Sequence, residues 1–443
     1  MSTGGTGNVP NYLKTAASVE SGFQFDDDPK SSAFHKQGYY TTTPHIDARY
    51  LIKPQTTYAD YGNQVAVMRI EKDHDFAGLC ELQIPSQALV GLNATYLRRA
   101  NWFGFSVIKE IHIKHNTHTL QSWQGDTMFP HYMLETTADR RQLLDPLIGG
   151  DYSPVDREIM AERDAVFRVP LDLFAWWCKN THTYMNTQSY SDEIRIYVSF
   201  YDKSEWVETD STNAPTAILG TVSIRSQTYE LGLVLEQHHV VESERTYHHT
   251  QILNTGVLEP FVDYVNVGRQ TIDPNQDNLF KVDMKNLNMP VRHICFVVRR
   301  ATDVSTAYNK NLYNLLDVVG FGMTGQSSGG EFVPFTPGKY NMTRIRDQYH
   351  SSRSESAYPI YFKSWTYTPE DHINELGSLH MGNINNPQLV IYIGQAIGDS
   401  EARDVSRGHY PLQAGPEQLV VDIYAQTFNL RQEFGGTPKK TFG

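Results

Sequence analysis

The amino-acid sequence predicts an all-β protein with two β-rich halves and a few short helices. Apolar and polar residues alternate in several segments, helix signals are short and isolated, and a polar segment at 202–217 separates halves at about 55–205 and 217–430. Successive side chains of a strand point to opposite faces, so this alternation indicates strands with one buried face. The long loops between the strands favour Greek-key sandwiches over meanders.

The strands of the first half have the clearest alternation. In LCELQIP, the apolar residues Cys80, Leu82 and Ile84 are separated by polar ones. FGFSVIKEIHIKH, residues 103–115, predicts one strand with an apolar face, and DEIRIYVSF, residues 192–200, predicts another. In the second half, strands are predicted at TVSIRSQTYEL, HICFVVRR, LLDVVGFGM, YPIYFKSW, QLVIYIG and LVVDIYAQTFNL.

Two segments carry helix signals. SPVDREIMAERD offers Ser153 as the N-cap, Pro154 at the first helical position and Asp156 near the positive end of the helix dipole. TPEDHINELG, residues 368–377, repeats this pattern and ends in a glycine that would stop the helix. Both segments predict single helices inserted between strands.

Composition limits the classes of function. The chain has 443 residues and a net charge of −12, with no long run of Lys and Arg, whereas proteins that bind DNA through its phosphates need a basic surface. Three widely spaced cysteines, Cys80, Cys178 and Cys295, form no C-x-x-C pair, which favours a reducing compartment over a disulfide framework. No stretch of about 18 apolar residues predicts a membrane span.

The stretch VVGFGMTGQSSGGEF contains two patterns associated with catalysis. Gly320, Gly322 and Gly325 match the dinucleotide fingerprint G-x-G-x-x-G, and the glycines around Ser327 match the hydrolase motif G-x-S-x-G. Both motifs need a helix directly afterwards. GQSSGGEFVPFTPGKY follows instead, and its four glycines and two prolines oppose a helix. We therefore interpret the stretch as a strand that ends in a surface loop, with no catalytic or cofactor-binding residue.

Metal ligands and modification sites are weakly indicated. The histidine groups at 112–118, 238–239 and 248–249 and the acidic run at 26–28 show no spacing that would bring three or four ligands together, so no metal site is predicted. Asn93 and Asn341 begin glycosylation sequons. The polar N-terminus lacks the apolar region of a signal peptide, so we expect both sequons to stay unmodified by the secretory route.

Eight segments, taken in order, carry a resemblance to a known family. They are VMRIEKDHDFAGLCELQIPS, WFGFSVIKEIHIKHNTHTLQSWQGDTMFPHYMLET, FRVPLDLFAWWCKN, SDEIRIYVSF, TVSIRSQTYELGLVLEQHHVVESER, LNMPVRHICFVVRR, YPIYFKSWTYTPEDHINELGSLHMGNINNPQLVIYI and VDIYAQTFNLRQEFGG. Together they resemble the double jelly-roll major capsid proteins of large nucleocytoplasmic DNA viruses, which infect eukaryotes. The matching residues include Gly104, Gly125, Asp126, Pro170, Glu244, Arg245, Pro369 and Gly377. The chain resembles a divergent member, because the family's opening segment is missing from residues 1–60 and NELGSL lacks the family's proline.

The resemblance implies two tandem eight-stranded jelly-roll domains, each a β-sandwich, with short inserted helices. It divides the chain into an N-terminal arm at 1–60, a first jelly roll at 61–205, a linker at 206–217, a second jelly roll at 218–436 and a C-terminal tail at 437–443. It implies a major capsid protein, a structural subunit that forms homotrimers. These trimers would be pseudo-hexagonal capsomers that tile an icosahedral virion shell.

The resemblance also implies partners and a location. The expected partners are further copies of the chain, neighbouring capsomers, minor capsid proteins and penton proteins, with an inner membrane beneath the shell as a further candidate and no direct nucleic acid. The expected location is the virion capsid, and the protein would be made and assembled in the host cytoplasm. Two alternatives stay open. One is a tandem jelly-roll enzyme or lectin, which would need a convergent His/carboxylate cluster or an exposed groove lined by Trp. The other is a minor or penton-type virion component, which normally needs one jelly roll.

Overall fold

The computed structural model describes most of the chain with several gaps. The described residues are 23–24, 38–39, 46–55, 62, 65–91, 94–150, 152–179, 184–210, 215, 221–240, 242, 245–246, 250, 257–272, 279–325, 330–342, 358–366, 377–393, 418–434 and 436–440. The predicted helix signal at 368–376 lies outside them.

The first half folds as a sandwich of two antiparallel sheets. Its eight main strands, numbered first to eighth along the chain, are Ile46–Ile52, Val65–Ile70, Phe76–Ser86, Ile108–His115, His118–Trp123, Ala165–Pro170, Ile194–Phe200 and Gly232–His239. One sheet has the order first, eighth, third and sixth. The other has the order second, seventh, fourth and fifth.

The second half repeats this architecture. Its eight main strands are Val257–Ile272, Leu279–Asp283, Pro290–Arg300, Gly320–Gly325, Gly330–Pro337, Tyr361–Ser364, Gln388–Tyr392 and Leu419–Phe434. The two sheets again have the orders first, eighth, third, sixth and second, seventh, fourth, fifth. Two sheets of four strands connected in this way form a jelly roll, so the prediction of two tandem jelly rolls is confirmed.

Short elements complete the described structure. The remaining strands are Phe23–Gln24, Gly38–Tyr39, Leu97–Arg99, Met185–Asn186, Val207–Thr209, Val222–Ile224, Gln227–Tyr229, Leu379–His380 and Thr437–Lys440. The α-helices are Phe103–Val107, Gly125–Glu135, Ala138–Ile148, Pro154–Ala161, Trp176–Lys179, Ala301–Ser305 and Gly338–Tyr340. The 3-10 helices are Leu171–Leu173, Thr187–Ser189, Lys203–Glu205 and Met381–Asn383. No helix within the described ranges is both long and apolar enough to cross a membrane.

Three helices lie between the fifth and sixth strands of the first jelly roll. The predicted helix is confirmed as Pro154–Ala161, with the Ser153 side chain accepting a hydrogen bond from the backbone of Asp156. Gly125–Glu135 and Ala138–Ile148 were not predicted. Each contains a proline, and ten of the eleven residues of Gly125–Glu135 are buried. A helix that is buried almost all round has no polar face, so the sequence lacks the periodicity that would indicate it.

The segment at 103–115 is not one strand, so that prediction was wrong in its first part. Phe103–Val107 forms a short helix with all five residues buried, and the strand begins at Ile108. The helix packs directly on Gly125, where an added Cβ would lie 2.0 Å from the carbonyl oxygen of Phe105. Close approach of two backbones therefore requires glycine at this position.

Strand pairing corrects the predicted domain bounds at four places. Ile46–Ile52, placed in the arm, and Gly232–His239, placed in the second domain, pair with each other inside the first jelly roll. Val207–Thr209, placed in the linker, pairs with Leu97–Arg99, and Thr437–Lys440, placed in the tail, pairs with the last main strand. The eighth strand of a jelly roll returns after a long connection to lie between the first and third, and alternation does not indicate which sheet a strand joins. The other bounds stay predictions.

The strand Pro290–Arg300 of the second jelly roll is buried on both faces. Ile294, Phe296 and Val298 belong to the core of the second jelly roll, whereas Cys295 and Val297 pack in the core of the first. The neighbouring strand Leu419–Phe434 is buried along most of its described length in the same way. One sheet of the second jelly roll therefore packs directly against the first, and we call this boundary the seam.

Replacing Leu235 by Ala should lower the free energy of unfolding by about 2–5 kcal/mol, because this fully buried side chain belongs to the core of the first jelly roll. Leu79→Ala is the matched control: Leu79 lies on the paired strand Phe76–Ser86 and is 44% exposed, so its loss should cost under about 1 kcal/mol. Denaturant unfolding measures both. Equal small losses would contradict the placement of Gly232–His239.

Candidate functional site

The glycine-rich stretch lies in a hairpin. Gly320–Gly325 is a strand that pairs with Gly330–Pro337, with Gly325 opposite Gly330. A strand therefore follows where both catalytic motifs need a helix; the sequence analysis opposed the helix but expected a surface loop rather than this strand. Ser327 lies outside the described residues.

The described members of the histidine groups noted in the sequence lie in separate places. His115 is buried and contacts Ser191 and the backbone of Asp192, whereas His118 is exposed at the start of the next strand. His239 stacks on His74, with 4.3 Å between ring centroids. The pair at 248–249 and the acidic run at 26–28 lie outside the described residues.

The structure describes the asparagine of one of the two glycosylation sequons. Asn341 is 1% exposed. Its side-chain nitrogen donates to the carbonyl of Phe362 at 2.7 Å, and its side-chain oxygen accepts from the backbone nitrogen of Phe362 at 3.0 Å. A glycan on this nitrogen would break these buried hydrogen bonds, so the geometry opposes glycosylation of Asn341 in the folded chain. Asn93 lies outside the described residues, and its sequon stays a prediction.

The seam contains an ion cluster that joins the two jelly rolls and is buried at Arg299 and Asp422, whereas the Arg269 side chain is 39% exposed. Arg269 donates to Asp422 at 2.6 Å and to Asp126, which begins the helix Gly125–Glu135 of the first jelly roll, at 2.8 Å. Asp422 also pairs with Arg299. The side chains of Arg299 and Asp422 are 0% and 2% exposed, so their charges are stabilised by each other rather than by water.

The cluster keeps its arginines charged. Burial alone would lower the pKa of Arg269, but hydrogen bonding and charge from Asp422, together with the charge of Asp126, raise this pKa above its ordinary value. Two guanidinium groups therefore face two carboxylates, so the opposite charges balance. Such a cluster fixes the distance and orientation between the helix Gly125–Glu135 and the strands that carry its partners.

Further hydrogen bonds cross the seam. Gln121 of the first jelly roll donates to the carbonyl of Val262 at 3.1 Å, and the Trp102 indole donates to the Tyr358 hydroxyl at 2.9 Å. Glu135 accepts from Tyr264 at 2.8 Å and from Gln426 at 2.9 Å. Buried polar groups need such partners, and here each partner comes from the other jelly roll.

A cleft of about 300 Å³ opens at one side of the seam. Ser122 and Thr127 of the first jelly roll line it opposite Asp263 and Lys440 of the second. Asp263 and Lys440 form an ion pair. Burial raises the pKa of Asp263, and Lys440 offsets only part of this effect.

An arginine from the family resemblance anchors the chain where it leaves the first jelly roll. Arg245 donates two hydrogen bonds to Asp75, at 2.5 and 3.0 Å. Asp75 also accepts from the backbone of Val240 at 2.9 Å. The carboxylate thus holds the connection that follows the eighth strand. Glu244, the family-matching residue next to Arg245 in the sequence, lies outside the described residues.

The strand order and the seam define a class of protein with two jelly rolls packed side by side. No family model and no curated protein sequence matches this chain.

Solved structures do match. The capsid protein in a quasi-atomic model of the PBCV-1 virus capsid has a TM-score of 0.67 at 12% identity, covering 93% of this chain and 100% of that one. The Faustovirus major capsid protein has a TM-score of 0.61 at 10% identity, covering 95% and 96%, and the mavirus major capsid protein has 0.54 at 11%, covering 93% and 95%. The chain therefore has the double jelly-roll fold of these proteins, and the resemblance found in the sequence is confirmed at the level of fold.

Asp422→Asn should lower the free energy of unfolding by about 3–5 kcal/mol, because it leaves a buried Arg299 charge without its carboxylate. Glu230→Gln is the matched control: the Glu230–Lys53 pair has side chains 36% and 62% exposed, and its loss should cost at most about 1 kcal/mol. Chemical unfolding of both variants checks this. If Asp422→Asn were as mild as the control, the buried Arg299 charge would not depend on this carboxylate.

Asp263→Asn should gain stability relative to the parent chain as the pH rises from about 4. Because the pKa of Asp263 is raised, the folded state binds the carboxyl proton of Asp263 more tightly than the unfolded state does. The stability that this protonated carboxyl contributes is therefore lost as the pH rises through the raised pKa. Asp283→Asn should show the opposite trend, because a hydrogen bond from Gln388 lowers the pKa of Asp283. Unfolding curves at several pH values measure both. The same trend in the two variants would contradict the opposite pKa shifts of Asp263 and Asp283.

Proposed function

We propose that this chain is a major capsid protein, a structural subunit of a virion shell. One observation carries the proposal: two jelly rolls of identical strand order, joined side by side by an ion cluster, match a PBCV-1 capsid protein over its whole length. The described fold uses its buried polar groups to fix the two domains relative to each other. This is what a rigid building block requires, whereas an enzyme needs reactive groups that reach a substrate.

The proposed assembly is a homotrimer. Two rigidly joined barrels give about one third of a hexagonal outline, so three chains around a three-fold axis close a ring of six barrels. Each contact in this ring joins unlike surfaces of neighbouring chains, and the rotation closes after three copies. The product is a pseudo-hexagonal capsomer that can tile an icosahedral shell.

Exposed apolar side chains on two inserted helices support a subunit contact. Leu143 and Leu147 lie one turn apart on Ala138–Ile148, and Val155 and Ile159 lie one turn apart on Pro154–Ala161. All four are between 44% and 74% exposed. Apolar residues at this spacing form a stripe on a helix, and exposed apolar patches are typical of protein contacts.

The partners and location of the chain follow from this role. We propose that it contacts further copies of itself, neighbouring capsomers, minor capsid proteins and penton proteins in the virion capsid, after assembly in the host cytoplasm. An inner membrane beneath the shell is a further proposed neighbour. The net charge of −12 opposes non-specific capture of nucleic acid, so we propose no direct contact with the genome. The shell role requires no cofactor and no enzymatic activity.

The purified chain should form a trimer of three times 50.5 kDa by light scattering, with a pseudo-hexagonal outline in negative-stain images. An obligate interface usually buries more than about 2,000 Å², and apolar burial is not screened by salt as surface ion pairs are. The trimer should therefore persist on dilution at moderate salt. A stable monomer that turns over a substrate would overturn the proposal in favour of the enzyme alternative.

The double substitution Leu143→Glu and Ile159→Glu tests which surface is used, and should shift the light-scattering mass towards the monomer. Gln142→Glu is its control, because it adds charge to an exposed position of the same helix without removing apolar surface. An intact trimer in the double variant would place the contact elsewhere without changing the proposed oligomer.

A further inference from the structure

Three metal-binding side chains converge in the seam. His131 and Glu135 lie one turn apart on the helix Gly125–Glu135, and His293 lies on the strand Pro290–Arg300 of the second jelly roll. One ligand atom from each lies within 4.8 Å of the other two. We propose that these residues bind one divalent transition-metal ion of the zinc class.

Two of the three distances between the ligand atoms match those around a tetrahedral ion. His131 Nδ1 lies 3.4 Å from Glu135 Oε1 and 3.3 Å from His293 Nε2. Zinc binds nitrogen and oxygen ligands at about 2.0–2.2 Å. Tetrahedral geometry then separates neighbouring ligand atoms by about 3.3–3.6 Å. His131 therefore lies at ligand distance from both partners, and Glu135 and His293, whose ligand atoms lie within 4.8 Å of each other, would close around the ion.

An ion also explains the arrangement better than shared protons do. His131 Nδ1 faces a carboxylate oxygen and a second imidazole nitrogen at similar distances. A ring nitrogen of a histidine carries at most one proton. If His131 Nδ1 carries the proton and donates it to Glu135, the contact with His293 is weakened. If His293 Nε2 instead donates to an unprotonated His131 Nδ1, the nitrogen lone pair of His131 also faces the carboxylate oxygen of Glu135, which repels it. A cation at the centre accepts lone pairs from all three atoms at once.

Neighbouring groups hold the carboxylate of Glu135 in position. The Tyr264 hydroxyl donates to Oε2 at 2.8 Å, and the Gln426 amide donates to Oε1 at 2.9 Å. Both residues belong to the second jelly roll, whereas Glu135 belongs to the first. Hydrogen bonds of this kind orient the ligands in metal sites and strengthen metal affinity.

Burial assigns the ion a structural role. His131 and His293 are 0% exposed, and the Glu135 side chain is 14% exposed. Three protein ligands leave the fourth position of a tetrahedral ion to water, as in catalytic zinc sites, but the burial of both histidines keeps a substrate away from that position. This cluster is of the kind that the enzyme alternative would require, but a substrate would have to enter the seam to reach it. The ion would instead clamp a helix of the first jelly roll to a strand of the second.

The test uses the full chain without a histidine tag, stripped with a chelator and titrated separately with Zn²⁺ and Co²⁺. Calorimetry should give one Zn²⁺ per chain, and Co²⁺ should give the intense visible absorption of a tetrahedral site. X-ray absorption of the zinc-loaded chain should show two imidazole ligands at about 2.0–2.1 Å. The proposal would be overturned by a lack of saturable binding, by an octahedral Co²⁺ spectrum or by bound zinc without imidazole ligands. All three measurements use the unsubstituted chain.

Variants then assign the ligands. His293→Gln and Glu135→Gln should each weaken Zn²⁺ binding by at least about 100-fold, since loss of an outer-shell partner alone costs up to this much. His115→Gln is the matched control, because His115 is also a fully buried histidine but lies outside the cluster, and its Zn²⁺ affinity should be unchanged. Circular dichroism of the stripped variants confirms folding. Zinc affinity that is unchanged in both ligand variants would overturn the assignment.

Discussion

The arrangement of the whole molecule depends on an ion cluster at the boundary of its two jelly rolls, in which Arg299 and Asp422 are buried and Arg269 is partly exposed. Asp422 binds two arginines, and Arg269 reaches from it to Asp126 in the other domain. Moving such charges out of water costs several kcal/mol per ion unless each one is paired with good geometry. Sliding one jelly roll past the other would separate Arg269 from Asp126, so the seam has one strongly preferred alignment. The apolar contacts of the seam are less directional and could not select that alignment alone.

The sequence predicted most of what depends on local pattern. The alternation in Ile194–Phe200 appears as strictly alternating burial, and the cap at Ser153 begins a helix as expected. What it missed depends on distant partners. Gly125–Glu135 is buried almost all round because the second jelly roll covers it, and His293 meets His131 from 162 positions away. A signal was present, since Asp422 interrupts the otherwise apolar run at 419–425, but only the fold shows what faces it.

The comparisons show how little residue identity this fold requires. At 12% identity the chain matches a PBCV-1 capsid protein with a TM-score of 0.67. A sandwich core requires apolar side chains of suitable total volume on the inner face of each strand, and many sequences satisfy this. The seam is more demanding, because exchanging one member of a buried charged cluster leaves its partners uncompensated. Within this protein, residues at the seam are therefore more constrained than residues in either core.

The position of the eighth strand also determines when each jelly roll can fold during synthesis. Ile46–Ile52 pairs with Gly232–His239, so the first sheet stays incomplete until the ribosome has passed residue 239. At roughly 5–20 residues per second, the early strands wait on the order of ten seconds or more with an unpaired edge. The partner strand in a neighbouring nascent chain has the same sequence and can fill that edge. Exchange of this strand between chains is therefore the characteristic misfolding hazard of the topology, and it is greatest where many copies are made close together.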